Sequence, residues 1–242
     1  MGESVMQLYH GIQIVYEDNH LLVVVKPPNM PTQADASRDP DVHSLMKAYI
    51  AEKYQKPGAV YLGLVHRLDR PVGGLLVLAR TSKAADRLSE QVRKKTLARQ
   101  YVAAVRGEAP QAGELHDWLL KDERTNTVRA VPEGTPGAKE AVLRYACVAR
   151  AEGLSLLRVR LFTGRSHQIR VQLAHSGIPI WGDARYGGGR PGEQIALWGA
   201  HLGLLHPTLR EELHFDALPP ADAAPWRGFD ASAWMAEGDC RP

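Results

Sequence analysis

Cysteine is scarce in this chain, whose 242 residues include only Cys147 and Cys240. Two cysteines so far apart supply neither a disulfide framework nor the paired spacing of a zinc site. No apolar run approaches the roughly 20 residues that a membrane-spanning helix needs, and residues 1–10 lack the pattern of a secretion signal. The glycine-rich stretches carry no phosphate-loop or dinucleotide fingerprint. We therefore expect a cytoplasmic protein outside the membrane, without a metal site or a nucleotide cofactor.

Acidic residues are missing from one part of the chain. Apolar residues make up 44% and charged residues 24%, which is typical of a globular protein, and the formal net charge is only +3. Residues 153–182 nevertheless contain no Asp or Glu. The basic residues in that stretch are Arg158, Arg160, Arg165, His167, Arg170 and His175. This distribution predicts a local positive patch that suits a polyanionic partner.

The apolar periodicity predicts a mixture of strands and helices. Residues 12–16 and 21–25 are β-branched runs on either side of a polar turn, which indicates a hairpin. Asp39 and Pro40 supply an N-cap and a first-turn proline for a helix, and Ser166 and Gly177 bracket another. Further strands are predicted at 75–79, 101–105 and 153–162, and a helix at 83–95. We expect an α+β fold with a mixed, mainly antiparallel central sheet and flanking helices.

One polar segment, His66-Arg67-Leu68-Asp69-Arg70, lies in a loop that enters the predicted strand at 75–79. A carboxylate among cations stays ionised at neutral pH, so Asp69 is suited to act as a nucleophile or base. For an isolated Asp between two arginines, a structural ion pair is the more common explanation. The segment alone does not decide between these roles.

Five motifs in order along the chain resemble the RluA-like pseudouridine synthase family. They lie at residues 17–27, 66–79, 99–107, 163–170 and 177–187. The resemblance runs from about residue 14 to 207 and ends in a segment, 195–207, that is similar to the last strand of the family. It implies a single catalytic domain over residues 1–242, with a family-like core at 14–207 and a C-terminal extension at 208–242. Because family-like sequence begins by residue 14, we expect no additional RNA-binding domain in front of it.

The sequence departs from the family pattern at several positions. Pro71-Val72-Gly73-Gly74 stands where the family usually has x-Thr-Ser-Gly. The single-residue departures are Arg99 for Lys, Ser166 for Thr and Trp198 for His. None of them removes a group that the chemistry requires, so they bear on substrate preference rather than on activity.

The resemblance implies an isomerase that converts uridine in ribosomal or transfer RNA to pseudouridine, without metal or cofactor. Asp69 is then the catalytic carboxylate, acting either at C6 of uracil or at C1′ of the ribose. Arg165 is its ion-pair partner, and Tyr101 is the ring on which the uracil stacks and a group that could help to remove the C5 proton. Arg67 takes the place of the flipped uridine in the RNA stack.

Several other polar residues receive predicted roles. The candidate RNA contacts are Lys26, Arg70, His167, Gln168 and Arg170. His66 is expected to hold the catalytic loop by hydrogen bonding, and Asp183 is expected to shape a turn. A monomer is the simplest assumption for the oligomeric state.

Two other functions use the same residues. A metal-dependent hydrolase could take His66, Asp69, His167 and Asp183 as ligands, although their spacing matches no compact ligand motif. A non-catalytic RNA-binding module is the other alternative, and the presence of Asp69, Tyr101 and Arg165 argues against it.

Overall fold

The computed structural model describes residues 7–230, and it divides the chain into two compact units. The first comprises residues up to 98 together with 199–217, and the second comprises 99–198 together with the residues from 218 onward. Cys240 lies outside the described residues.

Residues 7–230 form twelve strands and three α-helices. The strands are β1 Gln7–Tyr9, β2 Ile12–Glu17, β3 Leu21–Lys26, β4 Gly63–Leu64, β5 Gly73–Ala79, β6 Ala98–Arg106, β7 Ala112–Asp122, β8 Thr127–Val131, β9 Lys139–Ala151, β10 Leu154–Leu161, β11 Leu197–Leu205 and β12 Glu212–Asp216. The helices are α1 Val42–Lys53, α2 Ser82–Arg93 and α3 Gln168–His175, and a 3-10 turn covers Trp226–Gly228. No helix within residues 7–230 is long and apolar enough to cross a bilayer.

The first unit is organised around two fully buried strands, β3 and β5. Its strand order is β1-β2-β3-β5-β11, with β4 on β5 and β12 on β11. Alternate residues of a strand point to the same face, and Leu22 and Val24 join Leu76 and Leu78 in a core with α1. The predicted hairpin is confirmed, because β2 and β3 pair antiparallel.

The first helix begins two residues later than the sequence predicted. Asp41, not Asp39, is its N-cap, and the Asp41 carboxylate accepts a hydrogen bond of 3.0 Å from the Ser44 amide. The Asp39 carboxylate is instead paired with Arg70. The helical spacing of the apolar residues therefore predicted the helix correctly. Its first residue was wrong because either of two aspartates before the helix could act as the N-cap.

The second unit contains antiparallel strands in the order β6-β10-β9-β7-β8. Helix α3 packs Val171 against Leu119, Val128 and Ala141 from three of these strands. Neighbouring strands within each unit pair antiparallel wherever their residue-by-residue register is defined. The predicted α+β fold is therefore confirmed. The strands that were not predicted from the sequence are β1, β4, β7, β8, β9 and β12.

The start of α3 also differs from the prediction. His167 occupies the N-cap with a left-handed φ of 53° and makes no side-chain capping bond, and Ser166 does not cap the helix. The Gln168 side chain instead reaches back to the turn before the helix, where its Oε1 accepts a hydrogen bond of 3.0 Å from the Arg165 amide.

Candidate active site

The His66–Arg70 segment lies in the first unit, between β4 and β5. The His66 ring is buried, and its Nε2 accepts a hydrogen bond of 3.1 Å from the Val77 amide in β5. Because Nε2 is the acceptor, the ring is not protonated there, and it fastens the loop to the strand. The structure confirms the loop-holding role predicted for His66.

The backbone on the N-terminal side of Asp69 is also fixed. The Thr32 hydroxyl donates a hydrogen bond of 2.8 Å to the Leu68 carbonyl and accepts one of 3.3 Å from the Leu68 amide. The Leu68 side chain is buried, whereas Asp69 is only partly buried. A turn follows, in which the Val72 amide donates a hydrogen bond of 3.0 Å to the Asp69 carbonyl.

Lys26 holds the C-terminal side of the same loop. Its side chain is fully buried, and Nζ donates to the carbonyl oxygens of Pro27, Met30 and Arg70 at 2.8, 2.6 and 3.0 Å. Burial lowers the pKa of Lys26 to about 7, and the negative charge of Asp69 acts in the opposite direction. Lys26 therefore holds the backbone carbonyl of Arg70, the residue that follows Asp69.

The entry into β5 requires glycine. Gly74 has a φ of 123°, and a Cβ at this position would lie 2.3 Å from the carbonyl oxygen of Gly199. A side chain here would displace the backbone that carries the loop. Gly74 is the glycine that the usual family pattern also has, and it allows the close approach to Gly199 of β11.

The Arg70 guanidinium is bound by the neighbouring loop at residues 29–39. Nε donates to the Asn29 carbonyl at 3.2 Å, Nη1 donates to the Ser37 hydroxyl at 3.0 Å, and Nη2 pairs with Asp39. Asp35 lies 3.8 Å from the same guanidinium. Arg67, by contrast, is exposed.

Tyr101 lies in the second unit, on β6. It is 7% exposed, and it stands opposite Val159 of β10, which in turn stands opposite Tyr145 of β9. Two tyrosines therefore flank one valine in a row across three strands. Burial raises the pKa of Tyr145, so that hydroxyl stays protonated at neutral pH.

Arg165 follows β10, and it is anchored through both its backbone and its side chain. The Arg165 amide donates to Gln168 Oε1 at 3.0 Å, and Nε donates to the Glu140 carbonyl at 2.7 Å. The preceding residue, Gly164, leaves room for another arginine, because a Cβ there would be 2.9 Å from Nη1 of Arg99.

Gln168 connects Arg165 to a buried polar network. Its Oε1 also accepts from the Thr163 hydroxyl at 2.8 Å, and its Nε2 donates to the Val142 carbonyl at 3.1 Å and to Gln172 Oε1 at 2.9 Å. Gln172 Nε2 continues the network to the Asp117 carboxylate at 2.8 Å. This network could not be predicted from the sequence, because a glutamine in such a segment is as typical of a surface position as of a buried one.

Arg170 and Asp183 form a buried ion pair. Nε and Nη2 of Arg170 each lie 2.8 Å from a different oxygen of Asp183, whose side chain is 1% exposed. Asp183 also accepts hydrogen bonds from the amides of Arg185 and Tyr186. The structure confirms the predicted role of Asp183 in a turn. The Tyr186 hydroxyl is hydrogen-bonded to His167 Nδ1 at 2.7 Å.

The predicted site residues are distributed over both units. Lys26, Arg67, Asp69 and Arg70 belong to the first, and the second contains the others, which are Tyr101, Arg165, His167, Gln168 and Arg170. RNA contacts by Lys26, Gln168 and Arg170 stay predictions, and the burial of their polar groups in internal hydrogen bonds argues against them. Within residues 7–230, no three His, Cys, Asp or Glu side chains are grouped so as to hold a metal ion.

Comparison with known proteins gives a consistent result. A sequence profile described as RNA pseudouridylate synthase matches residues 20–175. Ribosomal large subunit pseudouridine synthase D of Zymomonas mobilis subsp. mobilis is 33% identical over 223 residues, covering 87% of this chain and 70% of that protein. The uncharacterized RNA pseudouridine synthase YhcT of Bacillus subtilis is 35% identical over 226 residues, covering 91% and 73%.

A solved structure shares the fold. Human RNA pseudouridylate synthase domain containing 4 aligns with a TM-score of 0.70 at 22% sequence identity, covering 86% of this chain and 88% of the human chain.

Proposed function

The chain belongs to the RNA pseudouridylate synthase family and is an RNA pseudouridine synthase, an isomerase, and we propose that Asp69 is its catalytic carboxylate. One observation carries the assignment of Asp69. The backbone on both sides of this partly buried residue is fixed, by Thr32 at Leu68 and by Lys26 at Arg70. A carboxylate held in this way loses little freedom when it meets a substrate.

The reaction rearranges one nucleotide without adding or removing atoms. The bond from N1 of uracil to C1′ of the ribose breaks, the base turns, C5 bonds to C1′, and the proton on C5 is lost while N1 gains one. Attack by Asp69 at C6 of uracil and attack at C1′ both require an ionised carboxylate held close to the nucleotide. The fixed Asp69 loop serves either route.

Arg165 and Tyr101 complete the proposed catalytic group. Arg165 is proposed as the cation that pairs with Asp69 and keeps it ionised and oriented. The anchoring of the Arg165 backbone by Gln168 supports this role, because an ion-pair partner must be held in place. Tyr101 is proposed as the ring on which the uracil stacks, with removal of the C5 proton as a further task.

A uridine within folded RNA must leave its stack before it can react. Unstacking costs a few kcal/mol, and a planar group that enters the gap recovers part of this free energy. Arg67 is proposed for that role, because it is exposed next to Asp69 and a guanidinium can both stack and donate hydrogen bonds.

Large-subunit ribosomal RNA is the substrate we propose. The support comes from the name of the relative from Zymomonas mobilis, a ribosomal large subunit pseudouridine synthase. Pseudouridines mapped by carbodiimide labelling in total RNA, with and without the gene, test the assignment. We expect a site in large-subunit rRNA to disappear with the gene, whereas loss of sites in tRNA alone would contradict it.

The proposed catalytic group also bears on domain organisation. Asp69 belongs to one unit and Tyr101 and Arg165 to the other, so we propose that both units act as one catalytic domain. Neither unit produced alone should form pseudouridine.

A further inference from the structure

A cavity of about 600 Å³ lies within the second unit, and none of the proposed catalytic residues lines it. Its wall includes Arg106, Glu152, Trp181, Pro225, Arg227 and Gly228. This volume falls in the range of small-ligand sites, which is roughly 300–1,000 Å³.

Two strand ends form one side of the cavity. Arg106 is the last residue of β6 and stands opposite Leu154 of β10. Glu152 and Gly153 make the tight turn between β9 and β10, with left-handed φ angles of 51° and 73°. The Gly107 amide donates a hydrogen bond of 2.9 Å to the Gly153 carbonyl, which ties the two ends together.

The segment that follows residue 218 forms the other side. Trp226 and Phe229 are 3% and 8% exposed, and they anchor the 3-10 turn to the unit. Arg227, between these two anchors, is exposed and lines the cavity. The rigid attachment of its neighbours fixes where the Arg227 backbone lies.

The charges in the cavity wall are unbalanced. Within residues 7–230, neither Arg106 nor Arg227 has an ion pair or a side-chain hydrogen bond, and Glu152 is the acidic residue of the wall. Two guanidinium groups that no side chain within residues 7–230 neutralises are suited to bind an anion, and arginine donates to phosphate through two parallel hydrogen bonds.

Trp181 supplies an aromatic surface beside these charges. Its amide donates to the Ala104 carbonyl and its carbonyl accepts from the Ala196 amide, both at 2.9 Å. The indole is only partly buried, so part of it remains available in the cavity. An aromatic ring next to cationic groups is the combination that binds single-stranded nucleic acid.

We propose that this cavity binds a phosphorylated nucleotide of the RNA substrate, outside the nucleotide that is isomerised. Arg106 and Arg227 bind the phosphate, the base stacks on Trp181, and the Glu152 carboxylate accepts a hydrogen bond from the base or ribose. The proposal rests on the RNA pseudouridine synthase function. The cavity increases the affinity for RNA and influences which RNA is bound, and it takes no part in the chemical step.

Binding of a fluorescein-labelled single-stranded RNA of about 12 nucleotides tests the proposal, followed by anisotropy between about 50 and 200 mM salt. The Arg106→Ala/Arg227→Ala double variant should weaken binding about tenfold and lower the slope of log Kd against log salt by about 1.4, or 0.7 per lost contact. Arg93→Ala/Arg124→Ala removes the same charge from exposed positions outside the cavity and is the matched control.

Trp181→Leu separates stacking from charge. It should weaken RNA binding about fivefold or more without changing the salt slope, because a stacked base releases no counterions. Circular dichroism and thermal unfolding establish that each variant is folded.

Equal binding losses in the Arg106/Arg227 variant and its control would overturn the proposal. Uridine 5′-monophosphate is the second probe. If the Arg106/Arg227 variant no longer binds uridine 5′-monophosphate but still binds the RNA normally, the cavity binds a free nucleotide and not an RNA strand, and the proposal is wrong. Turnover of an RNA stem-loop that contains the target uridine tests the proposed function separately, since the cavity variants should keep their kcat at saturating RNA.

Discussion

The side-chain oxygen of Gln168 accepts a hydrogen bond of 3.0 Å from the backbone amide of Arg165. The same oxygen accepts from the Thr163 hydroxyl, and the glutamine is 3% exposed. The arginine proposed to pair with the catalytic carboxylate is thus held by a buried side chain that does not need to touch RNA.

Replacing this acceptor should impair the chemical step. Gln168→Met preserves the shape of the side chain but removes the acceptor of the Arg165 amide and the nearer of the two acceptors of the Thr163 hydroxyl. Misplacing a catalytic group by about 1 Å can cost a factor of 100, so we expect kcat to fall at least about tenfold while KM for RNA changes little. Single-turnover rates at saturating RNA measure this effect.

A second glutamine provides the matched control. Gln91 bridges both backbone groups of Leu205, at 2.8 and 2.9 Å, in the first unit. Gln91→Met should lower the free energy of unfolding by a comparable amount, about 1–3 kcal/mol, and leave kcat unchanged. Equal kcat losses in the two variants would show that Gln168 acts only through stability.

Activity should persist when divalent metal is removed. The residues of the metal-hydrolase alternative are engaged elsewhere: Asp183 pairs with Arg170, His167 bonds to Tyr186, and His66 accepts from Val77. A short RNA stem-loop that folds in monovalent salt allows the assay to run in excess EDTA. Activity that is lost in EDTA and restored by added metal would refute the pseudouridine synthase mechanism proposed here.

The sequence predicted most of the first unit because its signals are local. The apolar runs of β3 and β5 and the spacing of Val42, Met46 and Ile50 each indicate an element without tertiary context. Strand β7 has a mostly alternating burial pattern along its eleven residues, but its polar residues His116 and Asp117 obscured the pattern in the sequence. Strands such as β7 and β9 are stabilised by long antiparallel pairing, which no local window reveals.

The site was predictable in part, for a related reason. Asp69 and Arg165 lie in motifs that a family resemblance can identify. Their supports could not be predicted, because Thr32, Lys26 and Gln168 act through backbone groups of other segments. Sequence does not show which carbonyl a buried lysine will bind.

The Asp183–Arg170 pair should contribute strongly to stability. Asp183→Asn leaves a guanidinium that is 8% exposed without its counter-charge, so we expect a loss of about 3–5 kcal/mol in the free energy of unfolding. Replacing both residues, as in Arg170→Met/Asp183→Leu, should cost less than the sum of the Arg170→Met and Asp183→Leu single changes, which with the wild type complete the cycle. Urea unfolding of the four proteins measures the coupling, and additive losses would contradict it.

The stabilisation by Asp183 should depend on pH. Burial alone would raise the pKa of this carboxyl, but the ion pair with Arg170 and the two backbone amides outweigh burial and lower the pKa. A carboxyl with a lowered folded-state pKa stabilises the protein above its unfolded pKa of about 3.9 and loses this contribution as pH falls through the folded value. The stability gap between wild type and Asp183→Asn should therefore be constant near neutral pH and shrink below about pH 4.

Asp69→Asn should abolish pseudouridine formation. Asparagine has the same size and fits the turn at Val72, but it carries no charge and is a poor nucleophile. RNA affinity should change little, because the phosphate and stacking contacts that dominate RNA binding involve other groups. Turnover is measured on an RNA stem-loop and affinity by anisotropy, with Asp86→Asn on the exposed side of α2 as the matched control. Normal turnover by Asp69→Asn would refute the catalytic assignment, whereas lost turnover with intact binding also excludes a purely RNA-binding role for the wild-type chain.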